Sequence, residues 1–365
     1  MDILVRYAEI GLKGGNRVIF ENQLIKNIKI ALKNPSLQII KAQKQILLAG
    51  EKINLEKLKT VFGIAWLAPV IIVDNDQKKI AAAALKLVKP KLNFAVRGHH
   101  DLEVKLGEII RQKKKIKVDL DNPGQTIYVA GAGERILIFN QKIPGPGGLP
   151  VDTSGKVLCL LSGGFDSIAA AYLLAKRGAQ VDFLHFHVFP DEKKVLASKI
   201  MAIIEKLKFF TLSQKLYLAS YIPFQIKVLD LDRRDEKQEL VVYRRLMVSV
   251  GEEIASQYGY QALVLGDSLG QVASQTLENI VAVDQAVNIP IFRPLIGMDK
   301  KDIISLVRQI GLESETNKPY KDCCSLISTH PSTRADLTKI QTLEKKIKID
   351  NITKEIVKNV TVISL

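Results

Sequence analysis

Six consecutive residues, Ser162-Gly163-Gly164-Phe165-Asp166-Ser167, combine two glycines, two hydroxyls and a carboxylate between an apolar run and a helix-forming stretch. Paired glycines let a backbone approach a ligand closely. The helix that follows aims its free N–H groups and positive dipole end at the same place. The hydroxyls of Ser162 and Ser167 add donors, so the set suits a phosphate chain. It lacks the Lys-Ser/Thr ending of a Walker loop, so cleavage between β and γ phosphates is not the chemistry it suggests. Asp166 would repel a bare phosphate, and a carboxylate there makes sense if it holds Mg²⁺ against a pyrophosphate. The plain alternative is a polar turn with a helix cap, but strand and helix flank it as a nucleotide turn requires.

The chain has three cysteines, Cys159, Cys323 and Cys324. They make no disulfide framework, and no CxxC pair suggests structural zinc. Cys159 sits inside the apolar run VLCLL and reads as a small buried hydrophobe. Cys323 and Cys324 are adjacent in a polar segment and read as thiols in a reducing compartment.

These residues need a frame to position them. The 365 residues are too many for one ordinary core and predict two or three domains. No apolar run approaches the roughly 18–20 residues of a membrane span. The opening MDILVRYAEIG lacks the features of a signal peptide, which makes the cytoplasm the expected compartment. The net charge is +15 and unevenly spread. Residues 1–150 hold 25 Lys+Arg against 13 Asp+Glu, whereas residues 151–365 hold 28 against 25. A basic excess confined to the first part favours contact with a polyanion.

The first 50 residues read as strand, turn, helix and hairpin, the helix spanning RVIFENQLIKNIKIALK. Residues 51–140 form a second small α/β unit: a short helix in INLEKLKTVFG, a strand in LAPVIIVD, a helix in IAAAALKLVK, a strand in NFAVRG, a helix in LEVKLGEIIRQKKK and paired strands in TIYVAGAGERILIFN. Pro144, Gly145, Pro146, Gly147, Gly148 and Pro150 then crowd into seven residues and mark a boundary. Beyond it VLCLL has the continuous apolarity of a parallel strand buried on both faces. Helix and strand alternate onward, as in a doubly wound α/β sheet. The stretch from Thr338 is Lys-rich and reads as a final helix and strand or a loose tail.

SGGFDS in this setting resembles the PP-loop of the ATP pyrophosphatase superfamily. Further segments narrow the resemblance: RYAEIGLKGGNRVIFE at 6–21, GPGGLP before the loop, GDSLGQVASQTLEN at 266–279, RPLIGMDKKDI at 293–303 and DCCSLISTHPST at 322–333 are all similar to tRNA 4-thiouridine synthases (ThiI). The resemblance runs nearly end to end. It implies an α/β protein with an N-terminal ferredoxin-like α+β domain (1–50), a THUMP RNA-binding domain (51–143), a Gly/Pro linker (144–156), a doubly wound PP-loop domain (157–337) and a C-terminal extension (338–365). It also implies ATP with Mg²⁺, tRNA as substrate and the uridine at position 8 as target.

The resemblance assigns roles by position. Leu160 and Leu161 would place backbone groups near adenine and ribose, and His185 and Phe186 end the next strand where an adenine would lie. Ser162, Gly163, Gly164 and Ser167 would hold phosphates, with Asp166 on the metal. Arg244, Gly266 and Gln275 are expected nucleotide contacts. Lys300 matches the catalytic lysine, ahead of its neighbour Lys301, and would stabilise charge building on the α-phosphate. Cys323 and Cys324 are the sulfur carriers, with Cys323 favoured by its interval after Gly311. Lys321, His330 and Arg334 are the cations placed to lower a thiol pKa there.

Many relatives add a C-terminal rhodanese domain that delivers sulfur. None is present in these 365 residues, so a separate donor is expected: a cysteine desulfurase, a rhodanese-like protein or free sulfide. An iron–sulfur cluster is the disfavoured alternative, since the pair is CC and Cys159 lies in a strand. The family is often dimeric, which leaves a homodimer open. Two rival activities are a PP-loop amide-forming ligase on a small substrate and a non-catalytic THUMP RNA-binding protein. The first leaves the paired cysteines and the basic half unexplained. The second leaves Asp166, Lys300 and Cys323 without a purpose.

Overall fold

The computed structural model describes the chain except for residues 1, 8, 43, 44, 51, 99, 230, 231, 233–235, 324–326 and 328–331. It divides into two compact units, Met1–Pro150 and Val151–Leu365. None of the helices among the described residues is long and apolar enough to cross a membrane.

The first unit contains β1 (Asp2–Tyr7), α1 (Arg17–Leu32), β2 (Gln38–Ala42), β3 (Gln45–Ala49), α2 (Leu55–Leu58), β4 (Ile64–Asp74), α3 (Gln77–Leu87), β5 (Phe94–Arg97), α4 (His100–Lys114), β6 (Gln125–Ala132), β7 (Arg135–Phe139) and β8 (Ile143–Pro144). Its sheet runs in the order β2-β3-β1-β4-β7-β6-β5, with β8 beside β4. The eleven-residue β4 is the spine. Its first half pairs antiparallel with β1, and its second half pairs with β7. Side chains alternate across it as the pleat requires. Leu67 joins the core under α1 and α2, Ile71 and Val73 join the core under α3 and α4, and Ala68, Val70 and Ile72 join a third cluster with Leu4, Leu47 and Leu137.

The first core therefore takes Leu58, Val61, Ile64 and Leu67, well past the edge expected at residue 50. A cut at 50 would separate β1 from its partner β4, because strand pairing is non-local and leaves no mark in local composition. Helix α2 is a single turn, shorter than INLEKLKTVFG suggested. The chain turns instead at Gly63 (φ +99), where Leu24 and Pro150 crowd the position a Cβ would occupy. The Gly/Pro stretch expected as a linker is zipped onto the edge of β4. Ile143 and Pro144 pair with Leu67 and Trp66, and the Gly145 and Gly147 N–H groups donate to Ala65 and Ile64. A side chain at Gly145 would strike the Ile64 carbonyl oxygen at 2.3 Å, so glycine is what permits this edge contact.

The second unit contains β9 (Lys156–Leu160), α5 (Phe165–Lys176), β10 (Gln180–His187), α6 (Lys193–Leu196), α7 (Lys199–Thr211), β11 (Lys215–Ser220), α8 (Ile222–Val228), α9 (Glu239–Tyr258), β12 (Ala262–Val264), α10 (Leu277–Asp284), β13 (Ile291–Phe292), α11 (Lys300–Gln309), α12 (Glu313–Thr316), α13 (Leu337–Ile347), α14 (Ile349–Lys358) and β14 (Thr361–Ser364). The strand order is β13-β12-β9-β10-β11-β14, parallel except for β14. The chain winds from β9 through β10 to β11, then crosses back to β12 on the other side of β9. The crevice beyond the carboxyl ends of β9 and β12 is thus the topological switch point, where open α/β sheets bind ligands.

The expected two-sided burial holds. Leu158 and Leu160 face the core built with α9, while Cys159 on the opposite face lies against α5, its Sγ 3.8 Å from the Ser167 carbonyl oxygen. The stretch from Thr338 forms two helices and a strand. Ile340, Leu343, Ile347, Ile352 and Ile356 recur at helical spacing and bury into the same core as α9, and β14 pairs antiparallel with β11. It closes the sheet edge rather than trailing from it.

Candidate active site

Strand β9 ends at Leu160, and the Leu161 N–H still reaches the β10 carbonyl of Leu184 at 2.8 Å. The chain then turns sharply. Gly163 takes φ +78, a left-handed conformation that L residues resist, and a Cβ there would lie 2.5 Å from Ile200 Cδ1. Gly164 caps α5 with extended backbone, so the first-turn N–H groups of a twelve-residue helix open onto the turn.

Of the two serines expected to hold phosphate, Ser167 turns inward. The Ser167 hydroxyl donates to the Gly164 carbonyl at 3.2 Å and accepts from the Ser162 N–H at 3.2 Å, with the two hydroxyls 3.2 Å apart. Ser167 is buried. Its hydroxyl is spent bracing the turn, and Ser162 is the member of the pair that faces out. The third residue of α5 falls under the loop rather than over it.

Asp166 and Lys300, 134 residues apart, meet beside this turn. Lys300 Nζ lies 2.7 Å from Asp166 Oδ1 and 2.9 Å from Oδ2, and Gln271 Nε2 donates to Oδ2 at 3.0 Å. Lys300, not Lys301, is the lysine that reaches the carboxylate. It opens α11, whose packing against α5 brings the two helix starts together. The pair is open to solvent, with the Lys300 side chain 44% exposed and Asp166 24% exposed. An ion pair in that setting is weak and can be exchanged for another partner.

Gly266 follows β12 and fits its backbone against the turn itself. A Cβ there would lie 2.6 Å from the Asp166 carbonyl carbon and 2.7 Å from the Ser167 nitrogen. The close approach that glycine permits is therefore to the phosphate turn. The next residue, Asp267, is buried between two guanidinium groups, Arg244 at 2.7 Å and Arg293 at 2.9 Å. Burial pushes its carboxyl up, but Arg244 and then Arg293 outweigh that and hold it below the usual carboxylate range. Arg244 also donates to the Ser274 carbonyl at 3.0 Å, and Gln275 Nε2 lies 3.5 Å from Asp267 Oδ1. Arg244 and Gln275, expected to touch the nucleotide, direct these donors to Asp267. The Oε1 atoms of Gln271 and Gln275 are buried without a hydrogen-bond partner.

On the β10 side, His185 and Phe186 are buried in the last turns of the strand. His185 Nδ1 donates to the Leu161 carbonyl at 2.6 Å, which leaves Nε2 to accept from the Tyr320 hydroxyl at 2.7 Å. Burial pushes the imidazole down to about 4, so it is neutral near pH 7. Phe186 meets Tyr243 edge to face. A small cavity lies among Leu160, Leu161, Ser162, Phe186, Asp322 and Cys323. Cys323 is only 4% exposed there. Cys324 and His330 lie outside the described residues. Cys159 is fully buried, and burial alone pushes its thiol up to about 12. It behaves as the inert hydrophobe its strand implied.

A family profile described as "Thiamine biosynthesis protein (ThiI)" matches residues 152–349, and one described as "ThiI ferredoxin-like domain" matches residues 2–68. The chain is 34% identical to the probable tRNA sulfurtransferase of Caldanaerobacter subterraneus subsp. tengcongensis, over 97% of this chain and 98% of that one. It is also 34% identical to the probable tRNA sulfurtransferase of Acetivibrio thermocellus, over 100% and 98%. The chain belongs to the ThiI family. A crystal structure of a 4-thiouridine synthetase–RNA complex with bound ATP superposes with a TM-score of 0.89 at 30% identity, covering 100% of this chain and 99% of that one. PH1313 from Pyrococcus horikoshii Ot3 shares the fold, with a TM-score of 0.65 at 22% identity over 85% of this chain and 99% of that one. The ThiI ferredoxin-like match reaches residue 68, in the first half of β4, where the first core also ends.

Within this ThiI chain, several residues escaped sequence reasoning, Tyr320 and Asp267 among them. Gln271 holds Asp166, Arg293 anchors Asp267, and Lys199 lies beside the turn, its Cε 3.4 Å from the Cβ position of Gly163. Arg293 stands in the RPLIG segment that carried the resemblance, a signal that was available but silent about its partner.

Proposed function

We propose that this protein is an ATP-dependent tRNA sulfurtransferase that converts a uridine of tRNA to 4-thiouridine. The observation that carries the reading is the convergence at one switch point of a glycine turn, the Asp166–Lys300 pair and a cysteine-lined cavity. Relatives of matching length are probable tRNA sulfurtransferases, and the full-length structural neighbour is a 4-thiouridine synthetase with RNA and ATP.

ATP lays its phosphates on the turn and the α5 N-terminus, where backbone N–H groups and the dipole favour negative charge. Its adenine and ribose lie along the ends of β9 and β10, at Leu160, Leu161, His185 and Phe186. Asp166 fits a role in holding Mg²⁺. It is a single, partly open carboxylate, and Mg²⁺ takes one or two carboxylates and completes its shell with phosphate oxygens and water. The ion would supply charge neutralisation at the pyrophosphate. Lys300, released from Asp166, turns its ammonium to the α-phosphate. The carbon-4 oxygen of uridine attacks the α-phosphorus, forming a P–O bond as the bond to pyrophosphate breaks. A sulfur nucleophile presented at Cys323 or Cys324 then adds to carbon 4, and the C–O bond breaks as AMP leaves. If the sulfur arrives as a cysteine persulfide, a second thiol attacks the cysteine sulfur, the S–S bond breaks to release thiouridine, and the disulfide that forms is reduced by an external thiol. The donor is a separate protein or free sulfide.

The first unit supplies the grip. Its excess of 25 Lys+Arg over 13 Asp+Glu suits phosphate contacts that position an RNA. We assign the segment after the ferredoxin-like domain, through β7, to a THUMP domain, and the cytoplasm as the compartment. Incubation with unmodified tRNA, ATP, Mg²⁺ and sulfide tests the reading. Near-ultraviolet absorbance from thiouridine, with pyrophosphate released, is the expected result. Pyrophosphate without thiolation points to a ligase acting on another acceptor, and neither signal points to a binding protein.

A further inference from the structure

The segment from Thr316 to Cys323 lies against the phosphate turn and is tied there at two places. At its start, Lys199 Nζ donates to the Thr316 carbonyl at 2.9 Å. At its middle, the Tyr320 hydroxyl donates to His185 Nε2, and His185 in turn donates to the Leu161 carbonyl at the tip of β9. Only one direction of this chain is allowed. A carbonyl oxygen accepts, so Nδ1 carries the proton, and a neutral ring must then accept at Nε2. Burial raises the Tyr320 hydroxyl above its ordinary value, which keeps the donor protonated. The Tyr320 ring is further seated edge-on against Phe189, 5.7 Å between centroids. Three residues later Cys323 closes the cavity whose floor is Leu160, Leu161 and Ser162.

We propose that Tyr320 is a positioning residue for sulfur transfer, its hydrogen bond to His185 fixing the cysteine-bearing segment over the floor on which the nucleotide lies. The inference rests on the sulfurtransferase reading and adds a part to it. The two chemical steps use different residues, with Asp166 and Lys300 serving adenylation and Cys323 serving sulfur delivery. A hydroxyl bonded to His185 three residues before the cysteine can matter to the second step without affecting the first. His185 is the relay, because it is at once part of the nucleotide floor and the acceptor for the strap.

Tyr320→Phe removes the hydroxyl and keeps the ring against Phe189. Two measurements on the full chain decide. The first, with enzyme in excess so that each tRNA reacts once, is the rate of pyrophosphate release and the 4-thiouridine formed per pyrophosphate early in that turnover, with tRNA, ATP, Mg²⁺ and sulfide. The second is the rate at which iodoacetamide labels Cys323, read by fragment-ion sequencing of the labelled peptide, which separates it from the adjacent Cys324. We expect pyrophosphate release within about twofold of the parent, thiouridine per pyrophosphate lower by about three- to tenfold, and Cys323 labelled faster by a similar factor, as loss of one hydrogen bond implies. Unchanged coupling with unchanged labelling overturns the proposal, and so does a fall in pyrophosphate release that matches the fall in thiolation. If the parent protein gives neither product, the sulfurtransferase reading fails by itself, and the labelling rate still shows whether Tyr320 anchors the segment.

Discussion

Two carboxylates, Asp166 in the first turn of α5 and Asp267 in the loop after β12, stand at the same end of the sheet, and both pair with cations. Asp166 faces solvent, meets one lysine and one amide, and sits at a helix start. Asp267 is 4% exposed and locked between Arg244 and Arg293, with Gln275 behind. The contrast separates chemistry from scaffolding. An open pair on a single flexible lysine can part when phosphate arrives, whereas a buried carboxylate between two planar guanidinium forks cannot part without leaving charges stranded. The phosphate turn lies between the two, resting on Gly266, the residue before Asp267.

Asp267→Ala breaks the buried side of this comparison. It strands the Arg244 guanidinium, while Arg293 keeps its pair with Asp284 at 2.6 Å, so we expect a loss of about 3 kcal/mol in unfolding free energy by denaturant titration. Asp166→Ala breaks the open side. Thiolation falls by about 10²–10³-fold, the scale of losing one aimed electrostatic group, while the unfolding free energy stays within about 1 kcal/mol of the parent. Gly266→Ala joins the two. Its Cβ would press on the Asp166–Ser167 backbone, and the overpacking costs about 1–3 kcal/mol while lowering turnover through a displaced Asp166. Crystallography or thermal melting alongside a rate assay checks that both fall together.

His185 adds a pH dependence of known sign. Its folded value lies below its ordinary 6.5, at about 4. The unfolded chain therefore binds more protons between these values. The stabilisation it gives is fully present above about pH 6.5 and is lost as pH falls toward 4, so melting temperature declines through that window. Substituting His185 with Asn reduces this slope, and His187, also pushed down by burial, keeps the remainder. The smallest effect is expected for Cys159→Ser, which leaves thiolation within about twofold because that thiol is inert in its strand.

The sequence made the turn, the doubly wound alternation and the basic first half legible, because each rests on local pattern or on composition. VLCLL, SGGFDS and the helix after it appear where periodicity placed them. Lys300 was marked by the family resemblance, yet nothing local revealed that its partner is Asp166, 134 residues earlier. The same limit hid Gln271, Arg293 and Tyr320, whose roles exist only in contacts across the fold. It also misplaced the hydroxyl of Ser167, since a helix start does not show from sequence which of its side chains turns inward. The edge drawn at residue 50 failed because β1 finds its partner across 57–68 residues. The C-terminal stretch was ambiguous for a related reason: its isoleucines recur at helical spacing, but only α9 and β11 show what they pack against.

The most direct test is the rate of 4-thiouridine formation by the Asp166→Ala protein, measured with tRNA, ATP, Mg²⁺ and sulfide beside the parent. The account predicts that thiouridine and pyrophosphate formation fall together by about 10²–10³-fold in the variant while its unfolding free energy stays within about 1 kcal/mol of the parent. Thiolation at the parental rate would mean that the glycine turn is not where the nucleotide reacts.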